Sequence, residues 1–454
     1  MLTVLAFIVA LGVLIAIHEY GHYRVAVACG VKVLRFSIGF GKPLLKWKSR
    51  HGETEFVLAA LPLGGYVRML DEREAPVAQQ ELSRAFNRQP LRKRAAIVAA
   101  GPVANLLLAV VLYSAVNWVG QEQPKAVLSA PAAGTLAAQA GFQGGEWVQT
   151  VQFGDHAPVP VASFEEMRWQ LTQAALQGKD AVLTWQWADR GAGGQQRLAL
   201  SQLGGAELDA AALRRIGLTM PWTAPVVGEL MPQMPGDRAG LKAGDRVVRI
   251  NGQAVQDGAQ LRALIREMLP SATQPVQTWE VLRDGRSLTL MLEPEVVDGP
   301  EGRIARIGAY IGGAPEMVLV QKNWWSAWEA GVAKTWEVSV LSLKMMGKML
   351  IGQASLENLS GPLTIADYAG QSASMGWTHY ILFLALISVS LGVLNLLPLP
   401  VLDGGHLMYY LWEGITGHAV SDAWMGRLQR VGISLLLVMM SIALFNDISR
   451  IWGS

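Results

Sequence analysis

His18-Glu19-Tyr20-Gly21-His22 places two imidazoles four residues apart, with a carboxylate beside the first. On a helix, positions i and i+4 stack on one face, so both rings can bind a single divalent ion while Glu19 stands next to them. Zinc held this way lowers the pKa of a bound water to about 7, and a neighbouring glutamate can then take its proton. That is the chemistry of hydrolysis. The pattern arises by chance in roughly one chain in a hundred of this size, so its location carries more weight than its spelling. It closes a stretch, 2–18, that holds no Asp, Glu, Lys or Arg. Ionisable groups at the end of such a stretch are costly and mark function by default.

A zinc hydrolase needs a third protein ligand and one open position. Asn395-Leu396-Leu397-Pro398-Leu399-Pro400-Val401-Leu402-Asp403-Gly404-Gly405-His406 ends another apolar stretch. Pro398 and Pro400 break a helix there, and irregular backbone at membrane depth is tolerated only where it lines a cavity or is buried in protein. By spacing alone Asp403 and His406 are equally good third ligands. Asn395 can hydrogen-bond a developing oxyanion or hold the backbone of a substrate.

The elements that must carry these residues are membrane spans. The 454-residue chain is 51% hydrophobic and 16% charged, against about 25% charge in an average soluble domain. One cysteine, Cys29, excludes an internal disulfide and a Cys-based metal knuckle, and a net charge of +2 offers no nucleic-acid signature. Four stretches lack charge: 2–18, 95–121, 368–402 and 431–446. With about 20 apolar residues needed per span, the second and third suffice, and the first must continue through His18, Glu19 and His22. No positive n-region or A-x-A site makes the first stretch a cleaved signal. Residues 28–94 carry 13 Lys/Arg against 6 Asp/Glu, whereas 121–320 carry 17 against 21. The positive-inside rule puts the first loop in the cytoplasm, with the long loop and both termini outside.

The long loop repeats itself. Ala140-Gly141-Phe142-Gln143-Gly144-Gly145-Glu146-Trp147-Val148 aligns with Ala239-Gly240-Leu241-Lys242-Ala243-Gly244-Asp245-Arg246-Val247. Similar strands are expected to end the copies, at 215–218 and 306–309. The second copy (239–255) resembles a PDZ domain, with Asn251-Gly252 as a hairpin turn. The first resembles it less, with Phe153-Gly154-Asp155 at that place. PDZ folds bind extended peptides by strand addition. Beyond them, Trp324, Trp325, Trp328, Val332, Trp336, Val340 and Leu343 recur at helical spacing, as suits an interfacial helix. Glu55 to Ala60 reads as a strand in the cytoplasmic loop, punctuated by Gly39, Gly41, Pro62, Gly64 and Gly65.

Taken together, HEYGH, FSIGFGKPL (36–44), ALPLGGYVRMLDE (60–72), AGPVAN (100–105), NLSGP (358–362) and NLLPLPVLDGGH (395–406) resemble the site-2 protease family of intramembrane zinc metalloproteases. The resemblance covers nearly the whole chain. It implies zinc held by His18, His22 and Asp403, with Glu19 as general base; Asp403 is preferred to His406 on that ground. It also implies single-spanning membrane substrates, such as a pre-cut anti-sigma factor in envelope stress signalling, and remnant signal peptides. The PDZ pair is then expected to filter substrates by size.

The expected fold is a polytopic α-helical membrane protein with four transmembrane helices, a membrane-associated β element and two inserted PDZ-like α+β domains. Its parts are a first span with the motif (1–30), a cytoplasmic loop with the β element (31–94) and a second span (95–120). Two PDZ-like domains follow (121–222 and 223–314), then an interfacial helical segment (315–375). A third span with the Leu-Asp-Gly motif (376–408), a cytoplasmic loop (409–427) and a fourth span (428–447) complete it. The setting is a bacterial inner membrane, with the PDZ-like domains and both termini periplasmic and the lipid bilayer as partner. The competing readings are a PDZ membrane adaptor without catalysis and an ion or proton transporter, since buried His, Glu and Asp also build proton relays.

Overall fold

The computed structural model describes residues 2–48, 53–154, 156–187, 191–203, 214–218, 220–269, 276–299, 302–351 and 361–452. The chain forms two compact units, Met1–Gly120 with Gln321–Ser454, and Gln121–Val320.

Among the described residues of the first unit, four helices are long and apolar enough to cross a membrane: Leu2–Ala28, Leu91–Val119, Trp377–Asn395 and Ala423–Ser449. Much of their apolar surface, including Leu5, Leu107, Leu386 and Leu437, stays exposed, which water would penalise and lipid does not. The second helix is the hub. Small residues on three others let their backbones come close to it. A Cβ at Gly21 would lie 2.4 Å from the Ala100 carbonyl oxygen, one at Gly331 2.8 Å from that of Val110, and one at Gly392 3.0 Å from that of Pro102. Gly331 belongs to helix Trp324–Leu350, which also buries Ala327, Thr335 and Val338 while Trp324, Trp325 and Trp336 remain exposed. Of the tryptophan face, Trp324 meets Trp118 at the end of the second span edge-on, with ring centroids 6.2 Å apart, while Trp325 and Trp336 point away from the small-residue contact. Asp447 of the fourth span accepts from the backbone N–H groups of Gly361 and Leu363 at 3.0 and 2.9 Å. It thereby caps helix Pro362–Ser374, whose first N–H groups have no partner within the helix.

The expected strand at 55–60 is part of a longer one. Strands β1 (Val33–Lys48) and β2 (Glu55–Met69) are antiparallel, and they pair twice. Pro43 and Leu45 to Lys48 face Ala59 and Glu55 to Leu58, while Arg35 to Ile38 lies between that segment and Gly65 to Arg68. The hairpin thus curls into four segments. Gly39 and Gly41, at φ +89° and +88°, take the positive values that make the curl. Phe40, Leu44, Leu45, Trp47 and Leu61 are exposed on it.

The second unit holds the repeat. In the first copy a four-stranded antiparallel sheet runs 159–160, 146–153, 181–187, 193–198, and in the second 253–254, 246–250, 277–283, 286–292. The order is the same in both. Each has a helix after its short edge strand, Phe164–Leu176 and Gly258–Glu267, started by Ser163 and Asp257 accepting from backbone N–H groups three residues on. Each has its own core, around Phe164, Met167 and Leu183 in one and Trp279, Leu261 and Val281 in the other. Asn251 and Gly252, at φ +48° and +77°, form the expected tight turn. Asp155 of the matching turn lies outside the described residues. The strand expected at 215–218 is not formed, since residues 214–216 are helical; that expected at 306–309 is split, Arg306 ending strand 302–306 and Ala309 opening strand 309–311, with Ile307 and Gly308 between them outside both. Ile216 and Leu218 are buried all the same, so burial, not strand pairing, is what the alternating pattern encoded there.

Candidate active site

Helix Leu2–Ala28 continues unbroken past the motif, so His18 and His22 stand on one face. Their Nε2 atoms are 3.3 Å apart. Asp403 Oδ2 lies 3.2 Å from Nε2 of His18 and 3.5 Å from Nε2 of His22. Of the described residues, these three form a group whose donor atoms all lie within 4.8 Å of one another. Ligands of a tetrahedral zinc at about 2.0–2.1 Å sit about 3.3 Å from each other, so the observed spacings fit a shared ion. Two imidazoles and one carboxylate are also a donor set that suits zinc.

Local chemistry explains how Asp403 arrives there. The third span ends at Asn395, and the two prolines beyond it cannot supply helical N–H groups. A tight turn follows, closed by the Leu399 and Leu402 N–H groups donating to Leu397 and Leu399 carbonyls at 2.7 and 3.0 Å. Helix Asp403–Thr416 then starts directly against this turn. A Cβ on Gly404 would lie 2.1 Å from the Leu397 carbonyl oxygen, and one on Gly405 2.3 Å from that of Leu399. Only glycine permits that approach, and the approach holds Asp403 opposite the histidines.

The second span furnishes the floor of the site. His22 Nδ1 meets the Ile97 carbonyl oxygen at 2.8 Å, and His18 Nδ1 meets the side-chain amide of Asn105 at 3.2 Å. Between them lies Gly101, where a Cβ would fall 2.2 Å from His22 Nε2. Ile97, Gly101 and Asn105 are four apart and share one helical face. Glu19 packs over Gly65 of β2, where a Cβ would be 2.8 Å from its Cγ. Among the described residues its carboxylate has no hydrogen bond or ion pair.

The other expected residues lie apart from this cluster. His406, as good as Asp403 by spacing, is outside the group; its ring packs edge-on against Tyr409. It lines a separate cavity of about 350 Å³ with Arg73, Asn87, Arg94, Tyr410 and Glu413. Burial pushes the Tyr410 hydroxyl above its usual range. Asn395 is half-buried at the end of its span, and its side chain makes no hydrogen bond among the described residues. Sequence reasoning passed over Asn105, an amide in an uncharged stretch, although a buried polar group in an apolar helix is itself a signal.

A membrane helix bundle that gathers two histidines, a carboxylate and a free glutamate defines a membrane-embedded metallohydrolase. The profile of Peptidase family M50 matches residues 6–439, and the chain belongs to that family, the zinc-dependent site-2 proteases. A protein of Ralstonia nicotianae provisionally named a zinc metalloprotease is 43% identical over 467 residues, which span 100% of this chain and 99% of that one. The regulator of sigma-E protease of Salmonella typhimurium is 39% identical and that of Escherichia coli strain K12 38%, each over 98% of both chains.

Proposed function

We propose that the chain hydrolyses peptide bonds within the transmembrane segments of single-spanning membrane proteins, using His18, His22 and Asp403 to hold zinc and Glu19 as general base. The observation that carries this reading is the convergence of Asp403 on the two histidines at 3.2 and 3.5 Å from almost the other end of the sequence. Zinc, when bound, polarises the scissile carbonyl and acidifies water. Glu19 takes the proton of the attacking water and delivers it to the leaving amide nitrogen. Its freedom from other partners suits a group that must exchange a proton. A transporter would need ionisable residues strung along a path, and an adaptor would have no use for three converging donors.

A helical substrate hides its carbonyls in internal hydrogen bonds, so it must be drawn out before cleavage. The segment Gly65 to Met69 is paired with β1 on one side and passes over Glu19. An unwound substrate adding to its other edge would have its backbone presented to the site. Asn395 would steady that backbone or the oxyanion from the end of the third span.

The setting we propose is a bacterial inner membrane, with the long loop and both termini periplasmic. The two similar halves of 121–320 then act as PDZ-like domains that exclude substrates with bulky exported parts. Substrates would be of the shortened anti-sigma type, a reading in keeping with relatives named for regulating sigma-E, together with remnant signal peptides. The test is cleavage of a tagged single-span substrate by purified protein, wild type beside Glu19→Gln, with product masses determined. A cut inside the span by wild type alone is expected, and a cut by both would sink the mechanism. Deleting 125–312 should admit substrates not yet shortened; if those stay intact, the filter role is wrong.

A further inference from the structure

Asn105 is fully buried in the middle of the second span. Its amide faces His18 Nδ1 at 3.2 Å, while its Oδ1 has no partner among the described residues. An unpaired buried polar atom is expensive, which calls for a reason. The histidines supply one. A backbone carbonyl can only accept, so the Ile97 oxygen at 2.8 Å keeps the proton of His22 on Nδ1 and leaves its Nε2 bare. Asn105 can meet His18 with either end of its amide. With the nitrogen toward the ring, Nδ1 is bare and the proton sits on Nε2, where it bonds Asp403 but bars a metal. With Oδ1 toward the ring, the proton moves to Nδ1 and Nε2 is free to ligate.

We propose that Asn105 is the positioning residue of the metal site: its side-chain carbonyl accepts from His18 Nδ1–H in the loaded enzyme and sets the ligating tautomer. The second span would then provide the outer partner for both histidines, through Ile97 and Asn105 eight residues apart. Such outer partners fix ring orientation and raise ligand basicity. The Asn105 turn is itself held, since Ser388 Oγ of the third span donates to the Asn105 backbone oxygen at 2.7 Å. The inference rests on the reading of His18, His22 and Asp403 as ligands.

The test is zinc affinity, by chelator competition on the full-length protein in detergent, for wild type, Asn105→Leu, Asn105→Asp and His22→Ala. Loss of an outer partner lowers metal affinity about 10–100-fold, and that is the drop expected for Asn105→Leu. Asn105→Asp should bind at least as tightly as wild type, because a carboxylate can only accept from Nδ1–H. Wild-type affinity in Asn105→Leu, or a fall in Asn105→Asp as large as in Asn105→Leu, would overturn the assignment. If Asn105→Leu does not fold, Asn105→Asp decides alone: retained affinity supports the role and a tenfold loss refutes it. Full zinc binding by His22→Ala would instead show that the ligand set is misread, a separate failure.

Discussion

Two carboxylates, one fully buried in the second unit and one half-buried in the first, show how differently a protein can treat the same group. Asp245 of the second repeat is wholly enclosed, and everything it needs is nearby. Arg283 donates to both its oxygens at 2.7 Å, and the Lys242 N–H to one at 2.8 Å. Asp403 in the membrane unit meets only two imidazoles, brought from about 380 residues away. No arginine or lysine balances it among the described ion pairs. A buried charge that is neutralised within its own fold is structural; one left facing open ligand atoms is suited to a cation. The first repeat sharpens the contrast, for Glu146, the counterpart of Asp245, accepts among the described residues only from the backbone N–H groups of Gln143 and Gly144, at 2.6 and 2.8 Å.

The comparison breaks first at Glu19. Glu19→Gln should lower cleavage by about 10³-fold or more, in the range of lost general-base catalysis, with zinc content by mass spectrometry unchanged. Loss of zinc together with activity would make Glu19 a ligand instead.

Next in size is Asp403→Asn, which should release zinc more readily than any outer-partner variant, for which the loss is about 10–100-fold. Without metal its thermal midpoint should equal or exceed that of the wild type, since a half-buried charge with no lysine or arginine partner among the described ion pairs has been removed. His406→Ala should keep its zinc. A zinc-free His406→Ala beside a zinc-loaded Asp403→Asn would reverse the ligand assignment.

Arg283→Met strands the charge of Asp245 and should cost the second repeat about 3 kcal/mol, read as faster hydrogen exchange over 246–292 in the full chain. The same pair has a pH signature. Burial works against ionisation of Asp245, but Arg283 and the Lys242 N–H outweigh it and hold the carboxyl below its usual range. Its folded pKa being lowered, its contribution is complete above the ordinary carboxylate value of about 3.9 and is lost as pH falls through the folded one. The protection of 246–292 should therefore survive at pH 5 and fade below pH 3.9; a loss between pH 5 and 7 would contradict the pairing. The smallest effect belongs to Ser163, whose Oγ accepts from Glu166 N–H at 3.2 Å. Ser163→Ala should cost the first repeat about 1 kcal/mol, visible as faster exchange in 164–176.

Much of this was legible because it is local. Four residues between His18 and His22 place both on one helical face whatever surrounds them. Asn251-Gly252 demands positive φ and so a tight turn, and the apolar stretches need lipid or burial. What escaped depends on contacts between distant segments. Spacing could not separate Asp403 from His406, because only the packing of Gly404 and Gly405 on the Leu397–Leu399 turn decides which side chain faces the histidines. The alternation at 215–218 promised a strand, yet a helical turn buries Ile216 and Leu218 as well. Pro62, Gly64 and Gly65 read as breaks, yet β2 runs through them to Met69 because a curled hairpin tolerates the irregular register. Asn105 passed as an incidental amide until the structure set it against His18.

By itself the sequence determined the membrane character, the two imidazoles on one helical face, the glutamate beside them and the repeat, since hydropathy, helical period and turn chemistry act within a few residues. Tertiary structure brought Asp403, which spacing left level with His406 and the family resemblance preferred, up to the two rings, and it alone laid the strand over Glu19 and set the second span beneath both rings. Those are matters of close backbone approach between helices, and the glycines that permit it say nothing in the sequence about which neighbour they will meet.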